Sequence, residues 1–271
     1  DPTTTALLLY PTKALTNDQL IPFQEMSNFL YQKKNPIRLN VCNYDGDTDA
    51  QKRIAIRSSA TILLSNPDML HLGLMPHHTM WKRFFVNLKF VVIDEVHIYK
   101  GIFGSHFANV IRRLKRILQF YGSAPLFICT SATVCNPKDF VERLLEVPFS
   151  LIDEDGSAHG EKKVYFYNPP IIDEQLNIRS GILEEGQKIA ALTVQNNLQS
   201  LIFVRSRRSV EFFLRKAKNS LLSDNILGYR SGYLATERRK IEQKLKNKEI
   251  LCVVATNALE LGIDIGGMDC V

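Results

Sequence analysis

The stretch FVVIDEVH, residues 90–97, decides the fold of this 271-residue chain. Its apolar first half has the length and composition of a buried strand, which ends in two adjacent carboxylates, Asp94 and Glu95. In open α/β sheets, ligands bind beyond the carboxyl ends of the strands. Hydrolysis of ATP needs one carboxylate to hold Mg²⁺, directly or through water, and a second group to orient the attacking water. Asp94 and Glu95 can divide those roles, although two solvated acids at an ordinary strand end also fit the tetrapeptide alone.

Short apolar runs of the same kind recur along the chain and alternate with helix-period segments. The runs are apolar on both faces, as parallel strands covered by helices must be. Between two of them, Phe107, Val110, Leu114, Ile117 and Leu118 follow a helical spacing. This alternation predicts an α/β fold with mainly parallel sheets and right-handed crossovers. The six predicted strands cover residues 6–10, 61–64, 90–93, 126–129, 201–204 and 251–254.

The length of the chain and a polar interruption near its middle indicate two domains. A prior of roughly 100–200 residues per domain favours two domains over one. The segment IDEDGSAHGEK is polar and rich in turn-forming residues, and the following YNPP contains two prolines that stop regular strand pairing. We therefore place the boundary near Pro148, with domains at 1–148 and 149–271. The second sheet is expected to begin with a strand at 164–167.

The composition describes a globular chain with reduced cysteines and a basic surface. Hydrophobic residues make up 45% of the chain, and no apolar run reaches the ~18 residues that a membrane span needs. The five cysteines form no C-x-x-C pair, so buried reduced thiols explain them better than disulfides or zinc. The net charge of +6 and the pI of about 9.0 permit a polyanionic partner without requiring one.

Hydroxyl residues follow two other predicted strands. TSAT, residues 130–133, offers small hydroxyls that can bond a carboxylate, a histidine or the backbone, and an unliganded Ser/Thr turn is the alternative. ATNALELGIDIGG, residues 255–267, follows the last strand. There Thr256 could bond a phosphate oxygen, Gly262 permits close approach of the backbone to a ligand, and Asp264 could bond a ribose.

Two motifs in the first half combine a strand end with the start of a helix. LLLYPTKAL places Thr12 and Lys13 where a hydroxyl, an ammonium group and a helix N-terminus make a phosphate cradle. SNPDML repeats that design after another strand, although Asn66 and Asp68 are equally common as turn and cap residues.

In this order, each after a strand, the motifs resemble those of the superfamily 2 helicases. PTKAL looks like motif Ia, SNPDML like Ib, DEVH like II, TSAT like III, IFVRSR like IV and ATNALELGIDIG like V. Within the superfamily the chain resembles the MrfA-like DNA helicases of the mitomycin-repair group, whose relatives include the Lhr and RecQ helicases. The resemblance covers nearly the whole chain. It implies two RecA-like domains and an ATP-dependent 3′-to-5′ DNA helicase or translocase that acts in DNA repair.

The resemblance also implies roles for single residues of the first half. Asp94 would hold Mg²⁺ and Glu95 would orient the attacking water. His97, with Ser131 and Thr133, would couple the state of the nucleotide to the grip on nucleic acid.

Binding roles are implied for residues in both halves. Gly262 and Asp264 would face ATP from the second domain. The channel for the nucleic-acid strand, most simply DNA, would be lined by Thr12, Lys13, Asn66, Pro67, Asp68, Arg205 and Thr256.

Two motifs of the superfamily are not found. The G-x-x-x-x-G-K-[ST] phosphate loop is expected before residue 1, and the arginine-rich motif VI after Val271. The first domain is therefore expected to be truncated at its N-terminus and the second at its C-terminus. Without the loop, ATP binding should be severely weakened, and loss of an arginine finger costs ~10³–10⁵ in rate. We expect the fragment alone to be nearly inactive.

Two alternatives stay open. An RNA helicase of the DEAD-box type usually has Arg where this chain has Leu261, and its motif II differs from DEVH. A non-hydrolysing nucleic-acid-binding scaffold is disfavoured by the intact pair of Asp94 and Glu95. No membrane association is expected, and the expected location is the bacterial cytoplasm at the nucleoid, or the nucleus in a eukaryote.

Overall fold

The chain divides into two compact units, Asp1–Gly156 and Ser157–Val271. The structure is a computed structural model that describes residues 3–33, 36–132, 134–154, 156, 160–218, 223–230, 232–256 and 267–271. No helix in these ranges combines the length and apolar character needed to cross a bilayer.

Unit 1 alternates strands with helices in the order that the apolar runs predict. Its strands are β1 (Thr5–Leu9), β2 (Val41–Asn43), β3 (Ile62–Ser65), β4 (Leu88–Ile93) and β5 (Leu126–Cys129). Its α-helices are α1 (Lys13–Tyr31), α2 (Ala50–Ser59), α3 (Pro67–Met69), α4 (Lys82–Val86), α5 (Gly101–Phe120) and α6 (Pro137–Leu145). A π-helical turn (Leu70–Leu74) and two 3₁₀ turns (His78–Trp81 and Val96–Ile98) complete the unit.

The five strands of unit 1 form one parallel sheet in the order β2-β3-β1-β4-β5. Leu9 lies between Ser65 of β3 and Ile93 of β4, and Ile93 pairs with Cys129 of β5. Because all strands run in one direction, the residues that follow β1, β3, β4 and β5 meet at one edge of the sheet.

The α5 helix shows how hydrophobic periodicity places the core. The predicted apolar stripe faces inward, with Phe107, Val110 and Leu114 buried. The arginines between these positions, Arg112 and Arg113, are exposed. Burial of this stripe against the sheet is the main force that holds the helix in place, since isolated helices gain little from propensity alone.

Unit 2 contains a smaller parallel sheet and a separate hairpin. The sheet has the order β8-β10-β9, from β8 (Ser200–Phe203), β9 (Ile226–Tyr229) and β10 (Cys252–Ala255). The antiparallel hairpin pairs β6 (Ile171–Asp173) with β7 (Ile178–Arg179). The helices are α7 (Ile182–Gln195), α8 (Arg207–Ala217) and α9 (Ala235–Lys246).

The prediction of a strand at 164–167 is wrong. These residues have no regular structure, and Phe166 is 97% exposed. A strand needs a partner for its backbone groups, and the two prolines that follow, Pro169 and Pro170, donate no hydrogen bond. All six other predicted strands are present within two residues of their predicted bounds, whereas β2, β6, β7 and β9 were not predicted.

Candidate active site

Polar residues follow adjacent strands at the carboxyl edge of the unit 1 sheet. Asp94 comes directly after β4, and Thr130 directly after β5. The backbone N–H of Asp94 donates to the Leu9 carbonyl oxygen at 3.0 Å, and that of Thr130 donates to the Ile93 carbonyl oxygen at 3.1 Å. These bonds extend the parallel ladder by one residue, so the two side chains are presented next to each other from rigid elements.

The Asp94 carboxylate is held by its neighbour. The Thr130 hydroxyl donates a hydrogen bond to Asp94 Oδ1. Thr130 was not among the predicted site residues, although its position directly after an apolar strand is the same signal that identified Asp94. Burial, and next the charge of Asp94, raise the pKa of the Tyr10 and Tyr99 hydroxyls. The hydroxyl groups of Tyr10 and Tyr99 therefore stay uncharged near the Asp94 carboxylate.

Glu95 is held in a backbone conformation that side-chain-bearing residues seldom adopt. Its φ of 50° and ψ of 44° lie in the left-handed region, and such residues cluster at functional sites. Burial raises the pKa of Glu95, the charge of Asp94 raises it further, and His97 partly offsets the effect. A carboxylate with a raised pKa is a stronger base than an ordinary one.

The His97 ring links the DEVH turn to the TSAT turn. Its Nδ1 lies 3.2 Å from Glu95 Oε2 and 3.3 Å from the backbone nitrogen of Ala132. A protonated Nδ1 donates to Glu95, whereas an unprotonated Nδ1 accepts the Ala132 N–H, so the two bonds exclude each other. Ser131 turns its hydroxyl to the Ala132 carbonyl oxygen at 2.8 Å. Thr133 lies outside the described residues.

The oxygen atoms at this edge suit Mg²⁺. Asp94, Glu95 and Thr130 offer hard carboxylate and hydroxyl ligands. Among the described residues no group of three or more His, Cys, Asp or Glu side chains could hold a metal ion. Mg²⁺ is commonly bound by one or two carboxylates together with substrate phosphates, so a pair of acids is a fitting protein contribution.

The predicted nucleic-acid residues after β1 lie at the start of α1. The Thr12 hydroxyl accepts the N–H of Leu15 at 3.3 Å and caps the helix. Lys13 Nζ lies 2.9 Å from Asp47 Oδ1. Both polar groups are thus at the predicted edge, with one engaged in capping and the other in an exposed ion pair.

The predicted residues after β3 form the start of α3. Asn66 is buried, and its Oδ1 accepts the N–H of Met69 at 2.8 Å. Pro67 is buried at the first helical position, and Asp68 is exposed. Asn66 therefore acts as a helix cap, which was the alternative to a phosphate-binding role. Asp68 is exposed to solvent at the carboxyl edge of the sheet.

In unit 2, Arg205 and Thr256 follow the paired strands β8 and β10. The Val204 N–H donates to the Ala255 carbonyl oxygen at 2.8 Å, which brings the two strand ends together. Arg205 is exposed and Thr256 is buried. Gly262 and Asp264 lie outside the described residues.

Comparison with known proteins identifies the family. The model of the DEAD/DEAH box helicases matches residues 1–140, and that of the helicase conserved C-terminal domain matches residues 184–271. The ATP-dependent helicase YprA of Bacillus subtilis is 48% identical over 270 residues, which are 98% of this chain and 35% of YprA. The ATP-dependent helicase HRQ1 of Saccharomyces cerevisiae is 39% identical over 281 residues, covering 100% of this chain and 26% of HRQ1.

The fold is shared with a solved helicase. The crystal structure of helicase MrfA bound to DNA and AMPPNP is 47% identical, with a TM-score of 0.91, and the match covers 100% of this chain and 38% of that one. The chain thus spans roughly a third of the length of these relatives. The match confirms the predicted α/β fold with RecA-like domains and the resemblance to MrfA-like helicases. The chain belongs to the DEAD/DEAH box helicase family.

Proposed function

We propose that this chain is the ATP-hydrolysing core of a DNA helicase or translocase. The observation that carries the proposal is the carboxyl edge of unit 1. There Asp94 is held by the Thr130 hydroxyl, beside a Glu95 whose backbone is left-handed and whose pKa is raised. This arrangement provides one carboxylate for a metal ion and one for a water molecule, which is what phosphoryl transfer to water requires.

Each acid has its own task in the proposed reaction. Asp94, oriented by Thr130, holds Mg²⁺ directly or through water. Glu95 orients the attacking water and accepts its proton, because its raised pKa increases its basicity. ATP would supply the γ-phosphoryl group that passes to water and would leave as ADP, and Mg²⁺ held at Asp94 would neutralise the charge that develops. Gly262 and Asp264 are proposed to contact the nucleotide.

His97 is proposed to report the state of the nucleotide to the TSAT turn. Its Nδ1 can pair either with Glu95 or with the Ala132 backbone, so a change at Glu95 alters the contact with the turn. Ser131 and Thr133 belong to the same turn and would pass the change on to residues that bind nucleic acid.

The proposed nucleic-acid contacts are made to the sugar–phosphate backbone. Hydroxyl, amide and cationic groups at strand ends and helix starts are typical backbone contacts, which carry little sequence information. The residues proposed for this role are Thr12, Lys13, Asn66, Pro67, Asp68, Arg205 and Thr256.

DNA is proposed as the substrate because the solved relative MrfA is bound to DNA. A 3′-to-5′ direction, a role in DNA repair and a location at the nucleoid or in the nucleus are further proposals that rest on the family resemblance. We also propose that the boundary between the two helicase domains lies near Pro148 in the sequence.

The 271 residues contain no G-x-x-x-x-G-K-[ST] phosphate loop. We propose that the parent protein supplies this loop and the arginine finger. Since an arginine finger alone is worth ~10³–10⁵ in rate, the chain by itself should hydrolyse ATP at least about a thousandfold more slowly than its parent.

The decisive experiment measures ATP hydrolysis and duplex unwinding by the parent protein with DNA and with RNA. We expect hydrolysis that single-stranded DNA stimulates, unwinding of DNA duplexes, and loss of both in the Asp94→Ala variant. If the protein unwinds RNA duplexes in preference to DNA duplexes, RNA and not DNA is its substrate. Absence of hydrolysis with either nucleic acid would show that the protein is a scaffold.

A further inference from the structure

The outer face of α5 carries a stripe of hydrogen-bond donors that none of the helicase motifs includes. His106, Asn109, Arg113 and Arg116 are all exposed. Their spacing of three, four and three residues places them on one side of the helix. At 1.5 Å per residue the stripe extends over about 15 Å.

A groove runs along one flank of this stripe, next to the SNPDML segment. It has a volume of about 300 Å³ and lies between α5 and the segment from Pro67 to His71. Inside it, Arg113 Nη1 lies 2.9 Å from His71 Nδ1. Because a guanidinium only donates, this ring nitrogen must accept, which requires it to be unprotonated. The charge of Arg113 is therefore not cancelled by its partner.

A second groove of about 630 Å³ runs along the other flank. Arg112, Lys115 and Arg116 line it, together with Glu146. The Glu146 carboxylate is engaged by Arg112 at 2.7 Å, and Arg112 also lowers the pKa of that acid. Lys115 donates to the carbonyl oxygens at the end of α6. In the part of the chain that the structure describes, Arg116 has no ion pair and no hydrogen bond.

The two grooves form one continuous surface, which we name the α5 track, because Asn109 and Arg113 line both of them. Four Lys and Arg side chains line it against two acids, Asp68 and Glu146, and Glu146 is already neutralised. The surface thus has two more cations than acids, and Arg113 and Arg116 form no ion pair among the described residues. Guanidinium groups match phosphate oxygens in geometry and charge.

We propose that the α5 track binds the phosphodiester backbone of a single-stranded nucleic acid that continues from the SNPDML helix start. Pro67 and Asp68 belong both to that helix start and to the first groove, so the path is unbroken. Phe103, which is 45% exposed, lines the groove at the first turn of α5 and offers a face on which an unpaired base stacks. The inference rests on the proposed action on nucleic acid and adds a contact surface outside the motifs.

The test measures binding of the 271-residue chain to fluorescent single strands of about 8 and about 16 nucleotides, within the range of known site sizes. The double variant R113A/R116A removes the two uncompensated cations from an exposed helix face. The matched control, K82A/K89A, removes two exposed lysines that lie outside both grooves. Circular dichroism of each variant verifies the fold.

We expect the longer strand to bind the unmodified chain more tightly than the shorter one, and R113A/R116A to remove most of that difference. Loss of two phosphate contacts should also reduce the slope of log K against log salt by about 1.4, since each contact to a single strand contributes about 0.7. In the control variant, the affinity difference between the two strands and the salt slope should change only as much as the loss of any two surface charges would change them. R113K/R116K should recover part of the affinity, because lysine keeps the charge without the bidentate geometry.

Three results would overturn the inference, and they are distinguishable. If the unmodified chain binds single strands but R113A/R116A behaves like the control, the α5 track is a solvated surface and the proposed function stands. If the variant weakens binding to duplex only, the single-strand assignment is wrong. If the unmodified chain binds no nucleic acid at all, the inference fails, and hydrolysis and unwinding by the parent protein decide the proposed function separately.

Discussion

The strand ends of the two parallel sheets differ in how their polar side chains are partnered. In unit 1, Asp94 is bonded by Thr130, and Glu95 lies against His97. In unit 2, Arg205 at the end of β8 is exposed and has no ion pair or hydrogen bond within the described ranges. The two acids of the unit 1 edge are thus preorganised before any ligand arrives, whereas Arg205 presents its charge to solvent.

This difference matches two kinds of chemistry. Catalysis of phosphoryl transfer depends on groups that are fixed in advance, since reorganisation during the reaction costs rate. Contact with a polyanionic backbone depends on available positive charge and tolerates side-chain freedom. We therefore expect substitutions at the unit 1 edge to change the rate of ATP hydrolysis, and substitution of Arg205 to change the affinity for nucleic acid.

The largest effect is expected for Glu95→Gln in the parent protein. The amide keeps the shape of the side chain but cannot accept a proton, and general-base catalysis contributes ~10²–10⁴ in rate. Single-turnover ATP hydrolysis should fall by this factor while nucleotide binding persists. The control Glu25→Gln changes an exposed residue of α1 and should leave the rate unchanged. A parent-like rate for Glu95→Gln would remove the water-orienting role.

A smaller loss is expected for Thr130→Val, which removes the hydroxyl that holds Asp94. A hydrogen bond to a charged group is worth about 1.5–3 kcal/mol, so kcat/KM for ATP should drop about 10- to 100-fold. Thr61→Val is the matched control, because Thr61 precedes β3 at the opposite edge of the same sheet. If both variants behave alike, the bond between Thr130 and Asp94 has no part in the reaction.

For unit 2, Arg205→Ala should weaken binding of single-stranded DNA by the 271-residue chain roughly tenfold, as expected for one charge-assisted contact. Hydrolysis by the parent without DNA should not change. Arg208→Ala removes an exposed cation of α8 that is outside the proposed channel, and it serves as the control. Fluorescence anisotropy measures both, and equal losses would show that only net charge matters.

The smallest effect concerns the stability of unit 2 and involves Glu185 on α7, whose carboxylate accepts several hydrogen bonds. Glu185 accepts hydrogen bonds from Lys188, Ser180 and Tyr167 at 2.7, 2.7 and 2.8 Å. These donors, Lys188 first, lower the pKa of Glu185 to about 2. A folded-state pKa below the unfolded value of about 4.3 means that the stabilisation is present at neutral pH and is lost as pH falls from about 5 to about 2.

Glu185→Gln should therefore lower the urea midpoint of the chain at pH 7, and the difference from the unmodified chain should shrink toward pH 2. Glu184→Gln is the control, since Glu184 forms only an exposed pair with Lys216. A difference that stays constant with pH would show that Glu185 acts through packing and not through its charge.

Much of the fold and of the unit 1 edge follows from the sequence. Strands buried on both faces appear as apolar runs, so the residues after them, including Asp94, could be assigned to a sheet edge in advance. The segment at 164–167 is also apolar and aromatic, but none of the described strands pairs with it. Pairing depends on partners that a local pattern does not contain.

Other features depend on contacts between distant residues. The left-handed backbone of Glu95 is set by bonds such as that from the Val96 N–H to the Thr130 carbonyl oxygen at 2.9 Å. His71 and Arg113 are 42 residues apart and meet only because α5 packs beside the segment after β3. Neither arrangement has a signature in the sequence of its own segment.

The β5 strand has a consequence for handling the protein in solution. Among the described residues it is the last strand of its sheet, and two of its side chains, Leu126 and Ile128, are 60% and 40% exposed. An apolar edge strand is a template on which a further strand can add, from the same protein or another one. Preparations of the 271-residue chain should therefore self-associate as concentration rises, whereas any further strand that the parent protein places beside β5 would suppress this.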